Sequence, residues 1–261
     1  SWFNVEKKCQ KKPISKIQRC MVEKNFICVI EARMGSKRFP GKSLKKLDKS
    51  NNLIDYVIKN VLESKYFNNK NIYLLTSELQ NNKPLIEYVK KNYLINLIIG
   101  SEENVFSRYL KFKKKKNFPI LRLTGDNPFI DPILIDEFVE IFVKKKIHYM
   151  TTRAMEHSKN WKTKSSFPKG ISLEAFYSNK LFVKEHAFNK NNYEFPTWFF
   201  FNKKIVAKIR KFNSFKNYKL LNNNFSFTLD SKRDYYRLKN FIKIKKCMPG
   251  ANNIWKLHGK K

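Results

Sequence analysis

Short apolar runs alternate with segments of helical periodicity along the first half of the chain. Four runs have the length and composition of buried strands: 26–30, 72–75, 94–99 and 119–123. Helices are predicted after these strands: at 53–67, at 84–92, from an N-cap at Ser101, and from Asp131 with Pro132 in its first turn. This alternation is typical of an open, mostly parallel sheet covered by helices on both faces.

The alternation breaks at residue 148. Residues 148–201 are rich in aromatic side chains, and we expect them to form an excursion from the sheet that serves as a lid, an acceptor pocket or a subunit contact. Strand patterns return at 204–209 and 225–229. A last helix is predicted from Ser231 to about residue 242.

The strongest chemical signal lies directly behind the first predicted strand, in the sequence EARMGSKRFPGK at residues 31–42. Four of its side chains can donate hydrogen bonds to an anion: Arg33, Ser36, Arg38 and Lys42. Three of them are cationic, and two glycines let a ligand approach the backbone, which is what a polyphosphate requires. The spacing differs from that of a P-loop, which has glycine where Ser36 stands.

Two aspartates follow predicted strands and are candidates for metal binding. Asp126 comes after the fourth strand and Asp230 after the run at 225–229. Carboxylates at strand ends, opposite a cluster of Arg and Lys, suit Mg²⁺-assisted nucleotidyl transfer. A structural alternative stays open for each: Asp126 as the start of a turn, and Asp230 as the residue before a helix capped by Ser231 and Asp234.

The chain has 261 residues and a net charge of +34, from 55 Lys and Arg against 21 Asp and Glu. Such a charge permits binding of nucleic acid, but compositional drift towards lysine over the whole surface is the favoured interpretation. One domain is expected over 26–245, with a basic N-terminal extension at 1–25 and a C-terminal tail at 246–261. No apolar run approaches the ~20 residues that a bilayer crossing needs. The four cysteines lack metal or disulfide spacing, which favours a reducing, cytoplasmic location.

Three sequence blocks resemble the signature of the cytidylyltransferases that activate acidic sugars as CMP-sugars, most closely the spore-coat polysaccharide and pseudaminic-acid type. The blocks are RMGSKRFPGK at 33–42, GSEENVFSRY at 100–109 and TGDNPFIDP at 124–132. The resemblance implies a Rossmann-like α/β fold of the nucleotide-diphospho-sugar transferase type. It also implies transfer of CMP from CTP to a sugar acid with release of pyrophosphate, Mg²⁺ as cofactor, and a homodimer.

Residue by residue, the resemblance implies that Arg33, Arg38 and Lys42 act in catalysis by stabilising charge on the leaving pyrophosphate. It implies that Asp126 and Asp230 hold Mg²⁺. The implied nucleotide-binding residues are Ala32, Arg33, Gly35, Ser36, Arg38, Lys42, Arg108 and Gly125.

Two stretches depart from the family's usual sequence. Relatives usually read Pro-Asp-Gly-Leu-Asp-Val-Glu where this chain has PKGISLE at 168–174, which keeps Gly170 and Glu174 as implied acceptor residues but loses both aspartates. Residues 194–197, EFPT, replace the usual Glu-His-Val-Thr. Three alternatives therefore stay open: a glycosyltransferase that uses a nucleotide-sugar, a degenerate nucleotide-binding homologue, and a basic nucleic-acid-binding protein.

Overall fold

A mostly parallel β-sheet organises the protein. The computed structural model describes residues 26–113, 117–145, 147–152, 168–182, 193–197, 200, 209–211 and 226–245. The expected N-terminal extension and C-terminal tail lie outside the described residues, so their limits stay predictions.

Within these ranges the structure has strands and α-helices in alternation. The strands are β1 (Ile27–Glu31), β2 (Ile72–Ser77), β3 (Asn96–Gly100), β4 (Pro119–Thr124), β5 (Tyr149–Thr151), β6 (Glu174–Tyr177) and β7 (Ile209–Lys211). The helices are α1 (Leu53–Leu62), α2 (Lys83–Asn92), α3 (Val105–Leu110), α4 (Pro132–Lys144), α5 (Ser178–Phe182) and α6 (Lys232–Lys245). The four early strands and the helices that follow them confirm the predicted alternation.

The strands lie in the order β3-β2-β1-β4-β6-β5-β7. All described neighbours pair in parallel except β6, which runs antiparallel to both β4 and β5. The strand order reverses between β1 and β4, whose last residues, Glu31 and Thr124, are paired. The crevice beyond the carboxyl ends at such a reversal is where open α/β sheets bind ligands.

Apolar side chains cover both faces of the sheet. In β1, Cys28 and Ile30 join a cluster with α1, α4 and α6, whereas Ile27 and Val29 join a second cluster with α3. Because alternate residues of a strand point to opposite faces, helices pack on both sides of the sheet, as predicted. Among the described residues, no helix is long and apolar enough to span a membrane.

The expectation that residues 148–201 leave the sheet is wrong for its two strands, because β5 and β6 lie inside the sheet beside β4. They have three and four residues, which is too short for alternation to be recognised in the sequence. The role of this stretch in acceptor binding or subunit contact stays a prediction.

Two further boundaries differ from the predicted ones. Helix α3 is capped by Asn104, whose side chain accepts from the Ser107 N–H at 2.9 Å, and Ser101 is therefore not its N-cap. Residues 226–230 form no strand, because their N–H groups bond to turns: Phe227 N donates to Lys169 O and Leu229 N to Asp126 O. Of the predicted strand at 204–209, residue 209 begins β7, and the others lie outside the described residues.

Candidate active site

A cavity of about 460 Å³ opens at the carboxyl ends of β1 and β4. Most of the predicted nucleotide and metal residues line it together: Ala32, Arg33, Ser36, Arg38, Lys42, Arg108, Gly125, Asp126 and Asp230. Residues separated by up to about 200 positions in the sequence thus meet in one crevice.

The basic loop, residues 31–42, turns back on itself after β1. Gly41 has φ 71° and its N–H donates to Met34 O at 2.9 Å. The Ser43 hydroxyl donates to Arg33 O at 3.1 Å. A non-glycine residue rarely adopts a positive φ, so Gly41 permits the turn that brings both ends of the loop to the cavity.

Gly125 lets the ends of β1 and β4 approach each other. Its N–H donates to Glu31 O at 2.7 Å, and a Cβ at this position would lie 2.6 Å from the Ala32 Cβ. Any side chain would force the two strand ends apart. Glycine here therefore holds Asp126 opposite the basic loop.

Lys42 joins the two candidate metal ligands. Its Nζ lies 3.0 Å from Asp126 Oδ2 and 3.7 Å from Asp230 Oδ1, and it donates to Leu229 O at 2.8 Å. Asp230 also contacts Arg38 at 2.9 Å and Lys169 at 3.1 Å. Both carboxylates thus converge on the position of one cation.

Asp230 precedes a capped helix, as the structural alternative predicted. The Ser231 hydroxyl accepts from the Asp234 N–H at 3.2 Å, and Asp234 accepts from the Ser231 N–H at 2.9 Å. This reciprocal pair is a capping box at the start of α6. The cap fixes the backbone at Asp230 and leaves its carboxylate directed at the cavity.

Arg33 is bound on the other side of the cavity by two carboxylates. Its guanidinium donates to Glu102 at 3.0 Å and to Glu194 at 2.8 Å. The segment that carries Glu194 is anchored at both ends: Phe106 N donates to Tyr193 O, and the Thr197 hydroxyl donates to the Glu174 carboxylate in β6. Residues 193–197 therefore form part of the cavity wall.

A buried charged cluster lies beneath the cavity on one face of β1, β4 and β6. Arg122 donates to Glu31 at 2.6 and 2.9 Å and to Glu174 at 2.7 Å. Burial lowers the pKa of Arg122, but the two carboxylates outweigh it, so that the pKa is raised. Burial, reinforced by Glu31, raises the pKa of Tyr109, whose hydroxyl donates to Glu31 at 2.6 Å. The cluster therefore stays ionised and hydrogen-bonded.

Arg108 lies behind the rim of the cavity and is 2% exposed. Its Nε and Nη2 donate to Ser101 O at 2.9 and 2.7 Å, which fixes the backbone that carries Glu102. Burial lowers the pKa of Arg108, although the charges of Glu31 and Glu102 oppose this.

Three predicted site residues do not line the cavity. Glu174 is 3% exposed and accepts from Arg122, Tyr149 and Thr197. Gly170, at φ 94°, packs against Phe227, where a Cβ would lie 2.4 Å from the Phe227 carbonyl carbon. Gly35 lies beside Glu102, whose Oε1 would be 3.1 Å from a Cβ at that position. The acceptor role of Glu174 and Gly170 stays a prediction.

The sequence analysis missed the residues that support the predicted ones. The missed residues are Glu31, Glu102, Arg122, Lys169 and Glu194. Arg122 had a usable signal, since it is the one charged residue in the apolar run of β4. The others carry no local signal, because their partners are distant in the sequence.

An α/β sheet whose basic loop and paired carboxylates meet at the strand reversal defines a nucleotide-binding protein of the transferase type. The family model described as Cytidylyltransferase matches residues 27–246. The chain therefore belongs to the cytidylyltransferase family.

Similar proteins agree with this assignment. The chain is 37% identical over 120 residues to the spore coat polysaccharide biosynthesis protein SpsF of Bacillus subtilis (strain 168). The aligned region covers 44% of this chain and 49% of that protein, so the chain spans about half the length of this relative.

Solved structures share the fold. A cytidylyltransferase from Leptospira borgpetersenii serovar Hardjo-bovis superimposes with a TM-score of 0.75 at 23% identity, covering 89% of this chain and 92% of that one. CMP:2-keto-3-deoxy-manno-octonic acid synthetase, solved in complex with CTP, superimposes with a TM-score of 0.54 at 14% identity. That match covers 84% of this chain and 99% of the synthetase.

Proposed function

We propose that this protein transfers CMP from CTP to an acidic sugar with release of pyrophosphate, in the biosynthesis of a surface polysaccharide or another glycan. One observation carries the proposal: Arg33, Arg38 and Lys42 meet Asp126 and Asp230 in a single cavity at the strand reversal. In this scheme the protein acts in the cytoplasm as a homodimer, with residues 148–201 contributing acceptor and subunit contacts.

The basic loop is suited to the triphosphate. Its three cations approach from both sides of the cavity, and Ser36 and Gly125 leave room between them. Pyrophosphate gains negative charge as it leaves the α-phosphate, and pre-placed cations stabilise that charge more in the transition state than in the ground state. Arg33, Arg38 and Lys42 would each exchange a carboxylate partner for a phosphate oxygen.

The carboxylates Asp126 and Asp230 are suited to Mg²⁺, which prefers oxygen ligands and is commonly held by one or two carboxylates together with substrate phosphates. Both approach the same Lys42 ammonium within 4 Å. Among the described residues there is no group of three or more His, Cys, Asp or Glu that could hold a metal alone. A bound cation would neutralise phosphate oxygens, while the protein keeps its cations on the leaving group.

An acidic acceptor suits the charge of the cavity. Six cationic side chains line it against four carboxylates, so a ligand carboxylate enters a positive field. The polysaccharide pathway of the Bacillus relative and the sugar acid in the name of the synthetase support the same substrate class.

Replacing Arg38 tests the proposal directly. We expect Arg38→Ala to lower the rate of pyrophosphate release from CTP and a nonulosonic acid by about 100-fold or more, as for loss of one pre-placed donor to a developing anion. Arg233→Ala is the matched control, because Arg233 is exposed on α6 and does not line the cavity.

Unchanged turnover of Arg38→Ala would contradict the assigned role. Release of a nucleoside diphosphate from a nucleotide-sugar would instead identify a glycosyltransferase. Nucleotide-dependent stabilisation without any product would identify a binding homologue that lacks turnover.

A further inference from the structure

Asp230 is held by three cations of the protein. Its Oδ1 lies 2.9 Å from Arg38 Nη2 and 3.7 Å from Lys42 Nζ, and its Oδ2 lies 3.1 Å from Lys169 Nζ. The Asp230 side chain is only 14% exposed. Both of its oxygens therefore have a cationic partner within the protein.

The backbone places Lys169 on the outer side of Asp230. Lys169 O accepts from the Phe227 N–H at 2.6 Å, and the adjacent Gly170 takes φ 94° where a side chain would collide with Phe227. This contact fixes the turn at 168–170 against the segment that leads to Asp230. The position of Lys169 is thus built into the fold and does not depend on a ligand.

The three cations differ in what a nucleotide can do to them. Arg38 and Lys42 line the cavity, so phosphate oxygens can replace Asp230 Oδ1 as their partner. Lys169 does not line the cavity. A phosphate in the cavity would therefore release Oδ1 and leave Oδ2 paired with Lys169.

Charge balance gives the same order of events. Before a ligand enters, the cluster of Arg38, Lys42 and Lys169 with Asp126 and Asp230 has three positive and two negative charges. A divalent cation that enters alone meets a net positive cluster and must displace Lys42. A nucleoside triphosphate reverses the sign of the local charge.

We propose that Lys169 is a positioning residue that reserves one oxygen of Asp230, so that the site takes one divalent cation and takes it only together with the nucleotide. This inference rests on the proposed nucleotidyl transfer. By linkage, the nucleotide and the cation then strengthen each other's binding by the same factor.

The test is binding of Mn²⁺, followed through the electron paramagnetic resonance signal of the free ion, with and without a non-hydrolysable CTP analogue. We expect the wild-type protein to bind one Mn²⁺ with the analogue, and none without it at the same Mn²⁺ concentration. Lys169→Met should tighten nucleotide-free Mn²⁺ binding by about tenfold, since one nearby positive charge is removed. Lys169→Asp should tighten it further.

Two variants separate a charge effect from a fold effect. Lys169→Arg keeps the cation and should bind Mn²⁺ like the wild type. Lys90→Met removes the same charge from the exposed face of α2, outside the cavity, and should also leave Mn²⁺ binding unchanged.

Two bound Mn²⁺ in the wild type, or equal nucleotide-free binding by Lys169→Met and the wild type, would overturn the inference. Pyrophosphate release by the wild type tests the proposed function separately. Turnover together with two bound Mn²⁺ would refute the role of Lys169 alone. Absence of both turnover and Mn²⁺ binding would refute both proposals.

Discussion

The three cations of the basic loop each have a carboxylate partner from another part of the chain. Arg33 is paired with Glu102 and Glu194, and Lys42 with Asp126. These ion pairs hold long side chains in place, so a nucleotide would bind donors that have already lost much of their rotamer freedom. The carboxylates thus prepare the cavity for phosphate even though they carry the same charge as phosphate.

Asp131, the N-cap of α4, gives a prediction about pH. Its side chain accepts from the Ile133 N–H at 2.6 Å, but burial raises its pKa to about 6. Because this folded-state pKa exceeds the value of 3.8 in an unfolded chain, the residue favours folding most below pH 3.8, and this contribution is lost as pH rises through 6. Ionised Asp131 therefore costs stability at pH 8.

We expect Asp131→Asn to raise the free energy of unfolding at pH 8 by about 1–3 kcal/mol, since asparagine keeps the cap without the charge. The gain should shrink as pH falls through 6, as measured by urea unfolding at pH 8, 6.5 and 5. Asp48→Asn is the control of opposite sign. Burial raises the pKa of Asp48, but hydrogen bonds from Tyr56 and Asn51 outweigh it and lower the pKa. Lower stability of Asp131→Asn at pH 8 would show that the buried charge is not costly.

Strands β1, β4 and β6 are joined by side-chain charges as well as by backbone hydrogen bonds. Arg122 lies opposite Glu174 in the register of β4 and β6 and reaches Glu31 at the end of β1. The end of β1 is also where the basic loop begins. The charged cluster therefore fixes the strand ends from which the cavity is built.

We expect Arg122→Met to lower the free energy of unfolding by about 3–5 kcal/mol, because Glu31 and Glu174 would be left as buried, uncompensated charges. Urea unfolding at pH 8 measures this loss. Arg122→Lys keeps the charge but not the fork of donors, and should fall between the wild type and the methionine variant. A methionine variant as stable as the wild type would mean that the cluster contributes nothing to folding.

Across the whole molecule the net charge of +34 is far larger than the excess of two cations in the cavity. A general positive surface attracts nucleic acid with an affinity that falls steeply as salt increases. A nucleotide site built from paired donors loses less, since its short contacts are partly buried and less screened. Salt dependence therefore separates the two interpretations of the charge.

We expect CTP with Mg²⁺ to stabilise the protein, and to do so at moderate salt. At about 100 times Kd the gain is about 2.7 kcal/mol, which corresponds to a rise in Tm of roughly 5–10 °C for a chain of this size. Thermal unfolding with CTP, UTP, ATP and GTP measures the shift and the base preference together. Mg²⁺ alone should give no shift. If none of the four nucleotides raised Tm, the proposed site would be refuted.

The sequence by itself determined β1 to β4, the helices between them, and the meeting of the basic loop with Asp126. Each of those strands is a local apolar run, and parallel strands bring their carboxyl ends to one edge of the sheet, so local pattern was enough. The predicted position of Asp230 at the same cavity followed from the family resemblance and from its place after an apolar run.

Only the tertiary structure decided which side chains complete the cavity. β5 and β6 are too short to show a period, and their place in the sheet depends on pairing with β4. Arg33 meets Glu194 across 161 positions, and Lys169 meets Asp230 across 61. Such contacts form because the packed chain places the groups within reach of each other, and no periodicity or spacing in the sequence records that distance.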